Sequence, residues 1–548
     1  QNKKTQYFIH SIFLKEYRYP VCKPDHQYSA YNYSQCHDPE YIAQCHGTEN
    51  GIKRKYQIHS YDPSDNYFQG LGFTAVMFQI IQIHHMQDFL GSCIENTNAS
   101  NKNNNAMEIE AASDNALDTD VKKRVLEILN NIIRKRRELV SVLDYNTYAE
   151  YRTEDRMAKN PQNVWEFEND LRNKLRPKGE MDIAEMLKIK SKRTATEATT
   201  IDVWEAGYYE NLVLKENFDL DPEEVRQYFE FNNVTAGLFT VYQRLFNVTF
   251  KKVSNPSVWH EDVLMYEVYD GSSNEMIGRF YLDMFPRANK YGHAAAFSVT
   301  MGKMTPDGYQ KPATALVCNF PKPTEFQPSL LTHDNVETYF HEFGHLVHGV
   351  LTQAQLMSYA GTSVARDFVE APSQMLENWI WQKESLSLFA KHYDTGEVIP
   401  DELLDKMLAA KNVNSGTKAL QQIYYGILDF TLHDGFDPDG EKTTTDIVSA
   451  LQNEITFYPY QEGTHMEAAF GHLNGYGAAY YGYKWSEVYA QDMFSIFEEK
   501  GIMNAEQGMR YRKIILEKGG TEEPLNLVRE FLGRESNSDA FLRSMGLE

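Results

Sequence analysis

The sequence predicts a mainly α-helical protein of at least two lobes, with one small and mostly antiparallel sheet. Three observations carry that reading. From Val121 onward, apolar residues recur at helical spacing over long stretches. Between about 262 and 320 the period changes to that of strands. From residue 334 the helical texture returns and runs to the end of the chain. At 548 residues the chain can bury a large core, and it is about twice the length at which a single core stops growing.

The elements follow in order. Residues 1 to about 95 are rich in Tyr, His and Gln, with weak periodicity. The stretch 96–105 (NTNASNKNNN) is low-complexity, and an acidic run continues it to Asp120, so the two read as a surface segment or linker. A first amphipathic helix is expected over 121–143, with Val125, Ile128, Leu129, Ile132 and Ile133 on one face. Further helices are expected near 162–176, 181–190, 202–214 and 222–246, the last opened by the capping pair Asp221-Pro222. Strands 264–269 and 276–282 flank Asp270-Gly271-Ser272-Ser273, a hairpin signal. A second pair, 296–301 and 314–320, surrounds Pro306-Asp307-Gly308 and is closed by Pro321.

Composition excludes some partners. There are 54 basic against 77 acidic residues, a net charge of −23, so neither nucleic acid nor an anionic membrane surface is expected as the main partner. The one basic run, Arg134-Lys135-Arg136-Arg137, reads as a solvated helix face. No stretch of about 18 apolar residues occurs, so no membrane span is expected; 71–83 is too short and carries Gln79 and Gln82. The five cysteines are Cys22, Cys36, Cys45, Cys93 and Cys318. The spacings among the first four fit no standard zinc knuckle, and a single Cys downstream suits a reduced, intracellular chain. A cytoplasmic monomer is the expectation, with a mitochondrial location second. The chain opens on Gln1 rather than Met, and no targeting peptide is read from it.

The most informative residues are His341-Glu342-Phe343-Gly344-His345, an HExxH pattern. The apolar positions Val336, Tyr339, Phe340, Phe343, Leu346 and Val347 place it on a helix. Residues four apart share a helix face, so His341 and His345 can bind one Zn²⁺, while Glu342 can take a proton from a water that the ion activates. With 17 His in 548 residues, chance would supply fewer than roughly 0.1 such matches.

A catalytic zinc site needs a third protein ligand and an open position. Glu370 lies 25 residues past His345, room for a turn at Gly361 and a new helix near Pro372. Glu377 competes with it, and spacing alone favours Glu370 only modestly, leaving both open. A third cluster is His472 to Tyr483, with glycines at 471, 475, 477 and 482. The glycines suggest a mobile loop, and its tyrosines can donate to an oxyanion or can simply pack.

The strings FHEFGHLVHG, AGTSVARDFVEAPSQMLENW and GHLNGYGAAYYGYKWSEVYAQDMF resemble the M3 family of zinc oligopeptidases, the thimet oligopeptidase and neurolysin group. So do EDRMAKNP (154–161), MYEVYDG (265–271), MFPRANKYGHAAAF (284–297) and ALVCNFPKP (315–323), all in one collinear register over about 121–548. The resemblance implies a zincin fold of gluzincin type, two helical lobes flanking a deep substrate channel. In that division, 121–255 is a helical lobe forming one channel wall and 256–548 the zinc domain, with 1–120 an atypical N-terminal segment. It implies His341, His345 and Glu370 as ligands of one Zn²⁺ and Glu342 as the catalytic base. His472, Tyr476, Tyr480 and Tyr483, with Gly475, match the loop that contacts substrate and transition state, Tyr483 being the leading oxyanion donor. The strand around 315–319, with Ala315 and Val317, matches an edge strand along which a short peptide is laid by β-augmentation.

Two departures stand out. Gly477 occupies a place where the family commonly carries an acidic residue, which implies a looser loop. Residues 1 to about 120 do not resemble the family's longer helical N-terminal part, which puts the wall of the channel in question more than the chemistry. The implied activity is endopeptidase hydrolysis of short peptides. The rivals are a catalytically impaired peptide-binding zinc protein of the same fold and an aminopeptidase. An acidic amine-binding motif ahead of HExxH, expected for the latter, is not found.

Overall fold

The computed structural model describes residues 119–547. The expectations for 1–118, including the Asn-rich linker and Cys22, Cys36, Cys45 and Cys93, lie outside the described residues.

The first helix, Thr119–Val142, buries Leu129, Ile132, Ile133 and Val140 as its periodicity requires. After a short helix, Tyr148–Thr153, a long one begins where Asn160 caps it, accepting from Asn163 N–H at 2.9 Å, with Pro161 in the first turn. It then runs unbroken to Thr194, through Pro177. The expected break near 177–180 is corrected, and the reason is tertiary. Helix Ser415–Asp434 crosses this one at Gly179, where a Cβ would lie 2.7 Å from Leu420 Cδ1, and a Cβ on Gly416 would lie 2.4 Å from Gly179 N. That close crossing buries Leu171, Leu175, Leu420, Tyr424 and Ile427 in one core. Five large apolar side chains contribute about 1.5–3 kcal/mol each, which outweighs a proline penalty of about 3 kcal/mol.

The strand island forms a five-stranded sheet and a separate hairpin. Its strands are β1 (Val248–Lys252), β2 (Leu264–Asp270), β3 (Met276–Asp283), β4 (Ala295–Thr300) and β7 (Ala313–Val317), with hairpin β5 (Lys303–Thr305) and β6 (Gly308–Gln310) between the last two. Strand β1 was not expected. The order is β1-β2-β3-β7-β4, with β3–β7 parallel and the other pairings antiparallel.

This order corrects one site expectation. Ala315 and Val317 lie on β7, which pairs with β3 on one side and β4 on the other, so its backbone groups are taken and no peptide can add to it. The outer strand on that side is β4, and its Phe297 and Val299 are 44% and 54% exposed.

Helix His333–Leu351 carries the HExxH residues and lies on the face of β3, β7 and β4. Thr332 and Asn335 form a reciprocal capping box at its start. Glycines allow the close approach: a Cβ on Gly349 would lie 2.7 Å from Thr314 Oγ1, and one on Gly278 2.7 Å from Val350 Cγ1. Val336, Tyr339, Phe340, Phe343, Leu346 and Val347 are all buried in the larger core. Phe343 sits edge-on to Tyr242 at 4.9 Å and to Phe280 at 5.5 Å. A ring buried this way contributes about 3–5 kcal/mol, and it holds the face that carries His341 and His345 outward.

Among the described residues no helix is long and apolar enough to cross a membrane.

Candidate active site

The opposite face of the HExxH helix carries His341 and His345, whose rings meet edge-on at 4.8 Å. After the helix the chain reverses through Gly361, at φ +56° and packed 2.8 Å (as its Cβ would be) from Gly349 Cα. It enters helix Ala371–Glu377 at Pro372, as expected, with Glu370 as its N-cap residue. Gly344, inside the HExxH motif, lets that helix come close, since a Cβ there would lie 2.7 Å from Ser373 Cα. Ser373 Oγ donates to the Glu370 carbonyl at 2.8 Å and fixes the cap residue.

The result brings Glu370 Oε2 within 2.9 Å of His345 Nε2 and 3.4 Å of His341 Nε2. One donor atom from each residue lies within 4.8 Å of the others. Tetrahedral zinc with bonds of about 2.0–2.1 Å separates its ligand atoms by roughly 3.4 Å, so two imidazoles and a carboxylate at these distances fit such an ion. The electrostatics agree. Burial opposes charge on both groups, yet Glu370 stays well below the usual carboxylate range because His345 and His341 face it. His341 is raised well above the usual histidine range, because hydrogen bonds and charge from Glu370 and Glu377 outweigh its burial.

Glu377 does not join the ligand atoms. Its Oε1 lies 2.6 Å from the outer nitrogen of His341, Nδ1. A carboxylate behind a ligating imidazole fixes the ring and its tautomer.

A cleft of about 1060 Å³ opens onto this centre, lined by His341, Glu342, Glu377, Gln422 and Lys484 among others. Glu342 is 9% exposed, and its Oε2 is buried without a hydrogen-bond partner. Glu337, in the same wall, is pushed up to about 8 by burial and by the charges of Glu377, Asp334 and Glu487.

The segment read as a mobile loop forms a short helix, His472–Gly475, then a turn into helix Gly482–Lys500. The rings of His472, Tyr476, Tyr480 and Tyr483 make one cluster, with Tyr476 and Tyr483 stacked at 5.4 Å and His472 5.1 Å from Tyr480. Tyr476 OH donates to Glu370 Oε1 at 2.9 Å, and Tyr480 OH donates to Gln422 Oε1 at 2.9 Å. Burial and the Glu370 charge push the Tyr476 and Tyr483 hydroxyls up, which keeps them protonated donors. Gly475 is exposed with open space around its Cα.

Asp367 gathers distant pieces around this cluster. Its carboxylate accepts from Met157 N–H and Ala158 N–H at 3.0 Å each and from Tyr481 OH at 2.9 Å. The EDRMAKNP, DFVEAP and YYGY strings are therefore one structural unit. Cys318 is buried, packs in the larger core and donates its N–H to the Asp283 carbonyl. His348 is fully buried, and burial lowers it to about 3.

Residues 108–547 match the family model of peptidase family M3. The chain belongs to that family. It is 38% identical to oligopeptidase A of Escherichia coli (strain K12) over 426 residues, covering 77% of this chain and 62% of that protein. It is 39% identical to saccharolysin of Saccharomyces cerevisiae over 437 residues, covering 77% of this chain and 61% of that one. The chain thus spans less than two thirds of the length of these relatives. A solved structure of a putative oligoendopeptidase F from Bacillus anthracis shares the fold at TM-score 0.51 and 13% identity, over 85% of this chain and 74% of that chain.

Sequence reasoning missed two residues of the surroundings. Asp429 accepts from the N–H groups of Ala478, Ala479 and Tyr480 at 2.9–3.0 Å. Arg136, read as part of a solvated face, turns inward, whereas Arg134 and Arg137 do pair with Asp439 and Asp437 at the surface. An acidic residue on the buried face of helix 415–434 was the only available signal for Asp429, and nothing local marked Arg136.

Proposed function

We propose that this chain is a zinc-dependent endopeptidase that hydrolyses short oligopeptides. One observation carries the reading. Beside a His341–His345–Glu370 group that fits an ion, Glu342 keeps a buried carboxylate oxygen unpaired at the edge of the cleft. A purely structural metal site has no use for such a group, which argues against the impaired peptide-binding alternative.

His341 Nε2, His345 Nε2 and the Glu370 carboxylate would hold one Zn²⁺. The ion supplies Lewis-acid chemistry, which lowers the pKa of a water from 15.7 to about 7. Glu342 takes the proton of the attacking water as general base and later passes it to the leaving amine. Tyr483, helped by Tyr480 or His472, donates to the oxyanion of the tetrahedral intermediate, an effect worth about 3–4 kcal/mol in comparable sites. Tyr476, through its bond to Glu370, orients the carboxylate ligand. The substrate backbone is laid along β4 rather than β7, because among the described residues β4 is the outer strand on that side. A cytoplasmic or mitochondrial compartment and a monomeric state go with this reading.

The test combines metal analysis with an internally quenched peptide blocked at both ends. Zinc bound in equal amount to protein and cleavage at an internal bond, abolished by chelation, is the expected result. Cleavage only of peptides with a free amine would turn the reading to an aminopeptidase, and bound zinc without cleavage would leave the peptide-binding alternative.

A further inference from the structure

The turn that carries Tyr476, Tyr480 and Tyr483 is held from behind by a chain of hydrogen bonds that starts more than three hundred residues earlier. Arg136 Nη1 donates to the Leu473 carbonyl at 2.7 Å, and Nη2 donates to the Asn474 carbonyl at 2.9 Å. The same Nη1 lies 2.7 Å from His433 Nε2. His433 Nδ1 faces the Asp429 carbonyl at 2.7 Å and its carboxylate Oδ1 at 2.9 Å, both acceptors, so Nδ1 carries the proton and Nε2 accepts from Arg136. The Asp429 carboxylate in turn accepts the N–H groups of Ala478, Ala479 and Tyr480. Asp429 is 1% exposed and His433 4%.

Two backbone features need this support. Ala478 holds φ +55°, a left-handed conformation that costs a non-glycine residue about 1–2 kcal/mol. At Gly477 a Cβ would lie 2.6 Å from Arg136 Nη1 and 3.1 Å from His433 Nε2, so the guanidinium occupies the space of the missing side chain. The looser loop expected from Gly477 is therefore replaced by a pinned one. Tyr148 covers the guanidinium, 5.1 Å from ring centroid to Cζ.

We infer that Arg136, acting through His433 and Asp429, is a positioning residue that fixes the 472–483 turn so that its tyrosines meet Glu370 and the substrate. Arg136 touches neither substrate nor the candidate ligands. Its contribution is the conformation from which Tyr476 reaches Glu370 and in which Tyr483 stacks on Tyr476. For its kinetic consequence the inference rests on the peptidase reading; for its structural content it does not.

The experiment uses the full chain with Arg136→Ala, Arg136→Lys and Gly477→Ala, the last expelling the guanidinium by its Cβ. Hydrogen–deuterium exchange across 473–480 reads the turn whether or not the chain is a peptidase. Exchange there should speed up in Arg136→Ala and Gly477→Ala, while bound metal and Tm stay near the parent's. With a quenched peptide, kcat should fall about 10- to 100-fold and KM change much less, the size expected for a small misplacement of transition-state donors. Millimolar guanidinium, far below denaturing concentrations, should restore kcat to Arg136→Ala but not to the parent or to Gly477→Ala. The double variant should be no worse than either single one, because both remove the same contact. Unchanged exchange in 473–480 would overturn the inference, as would a kcat loss that guanidinium leaves untouched. A parent chain that cleaves nothing would overturn the peptidase reading instead, with the exchange result still deciding on Arg136.

Discussion

Glu377 meets Nδ1 of His341 at 2.6 Å, while Glu370 meets Nε2 of His345 at 2.9 Å. Seven residues apart at opposite ends of one short helix, the two glutamates take different parts. Glu370 stands among the candidate ligand atoms, and Glu377 stands behind one of them. Spacing from the histidines could not separate these roles.

Glu377→Gln should keep a hydrogen bond to His341 and lose the charge that holds its Nδ1–H. Zinc affinity, measured by competition with a chelator, is expected to fall about 10- to 100-fold. Unaltered affinity would remove Glu377 from any part in the centre.

Glu342→Gln should bind zinc as the parent does and lose almost all hydrolysis, because the amide cannot accept a proton. Metal content and turnover of an end-blocked peptide, measured on one preparation, check this. Substantial residual activity would sink the proposed mechanism.

Tyr483→Phe removes a hydroxyl that burial keeps protonated. The expected outcome is a kcat lower by about 10²-fold with a smaller change in KM, since an oxyanion donor acts mainly in the transition state. If kcat holds and the Tyr476→Phe variant loses it, the donor role passes to Tyr476.

Asp283 offers a test of stability against pH. Its carboxylate receives Arg287 at 2.6 and 2.8 Å, Trp259 Nε1 at 2.8 Å and Lys290 at 3.0 Å, tying the end of β3 to Trp259 and to the segment that follows the strand. Burial alone would raise this group, but these donors outweigh it and hold it at about 2. A carboxyl depressed on folding stabilises above its unfolded value near 4 and loses that contribution as pH falls toward 2. Asp283→Asn should therefore lower the unfolding free energy near neutrality by about 3 kcal/mol, by leaving two cations without their partner. The difference from the parent should be roughly halved by pH 3, read by urea denaturation over a pH series. A difference independent of pH would show that packing, not charge, is at stake.

Much of the site was legible in the residues because its first half is local. The 3.6-residue period of Val336 to Val347 puts Phe343 in the core and the two histidines on the opposite face, and Thr332 and Asn335 mark where the helix starts. Gly361 and Pro372 announced the turn and the second helix in the same way. The long collinear strings strengthened what spacing gave only modestly, the preference for Glu370.

What the sequence by itself determined is therefore the content of each helix face and strand, which depends only on backbone period and on neighbours within a few residues. Tertiary structure decided the rest. Strand β7 became an inner strand because β4, reached first along the chain, pairs on its far side. Pro177 stayed inside a helix because a second helix crosses it at Gly179. Arg136 left the solvated face because Gly477 vacates the space it fills. Each is a contact between residues far apart in the chain, governed by how closely two backbones can approach. No period within either segment encodes that distance.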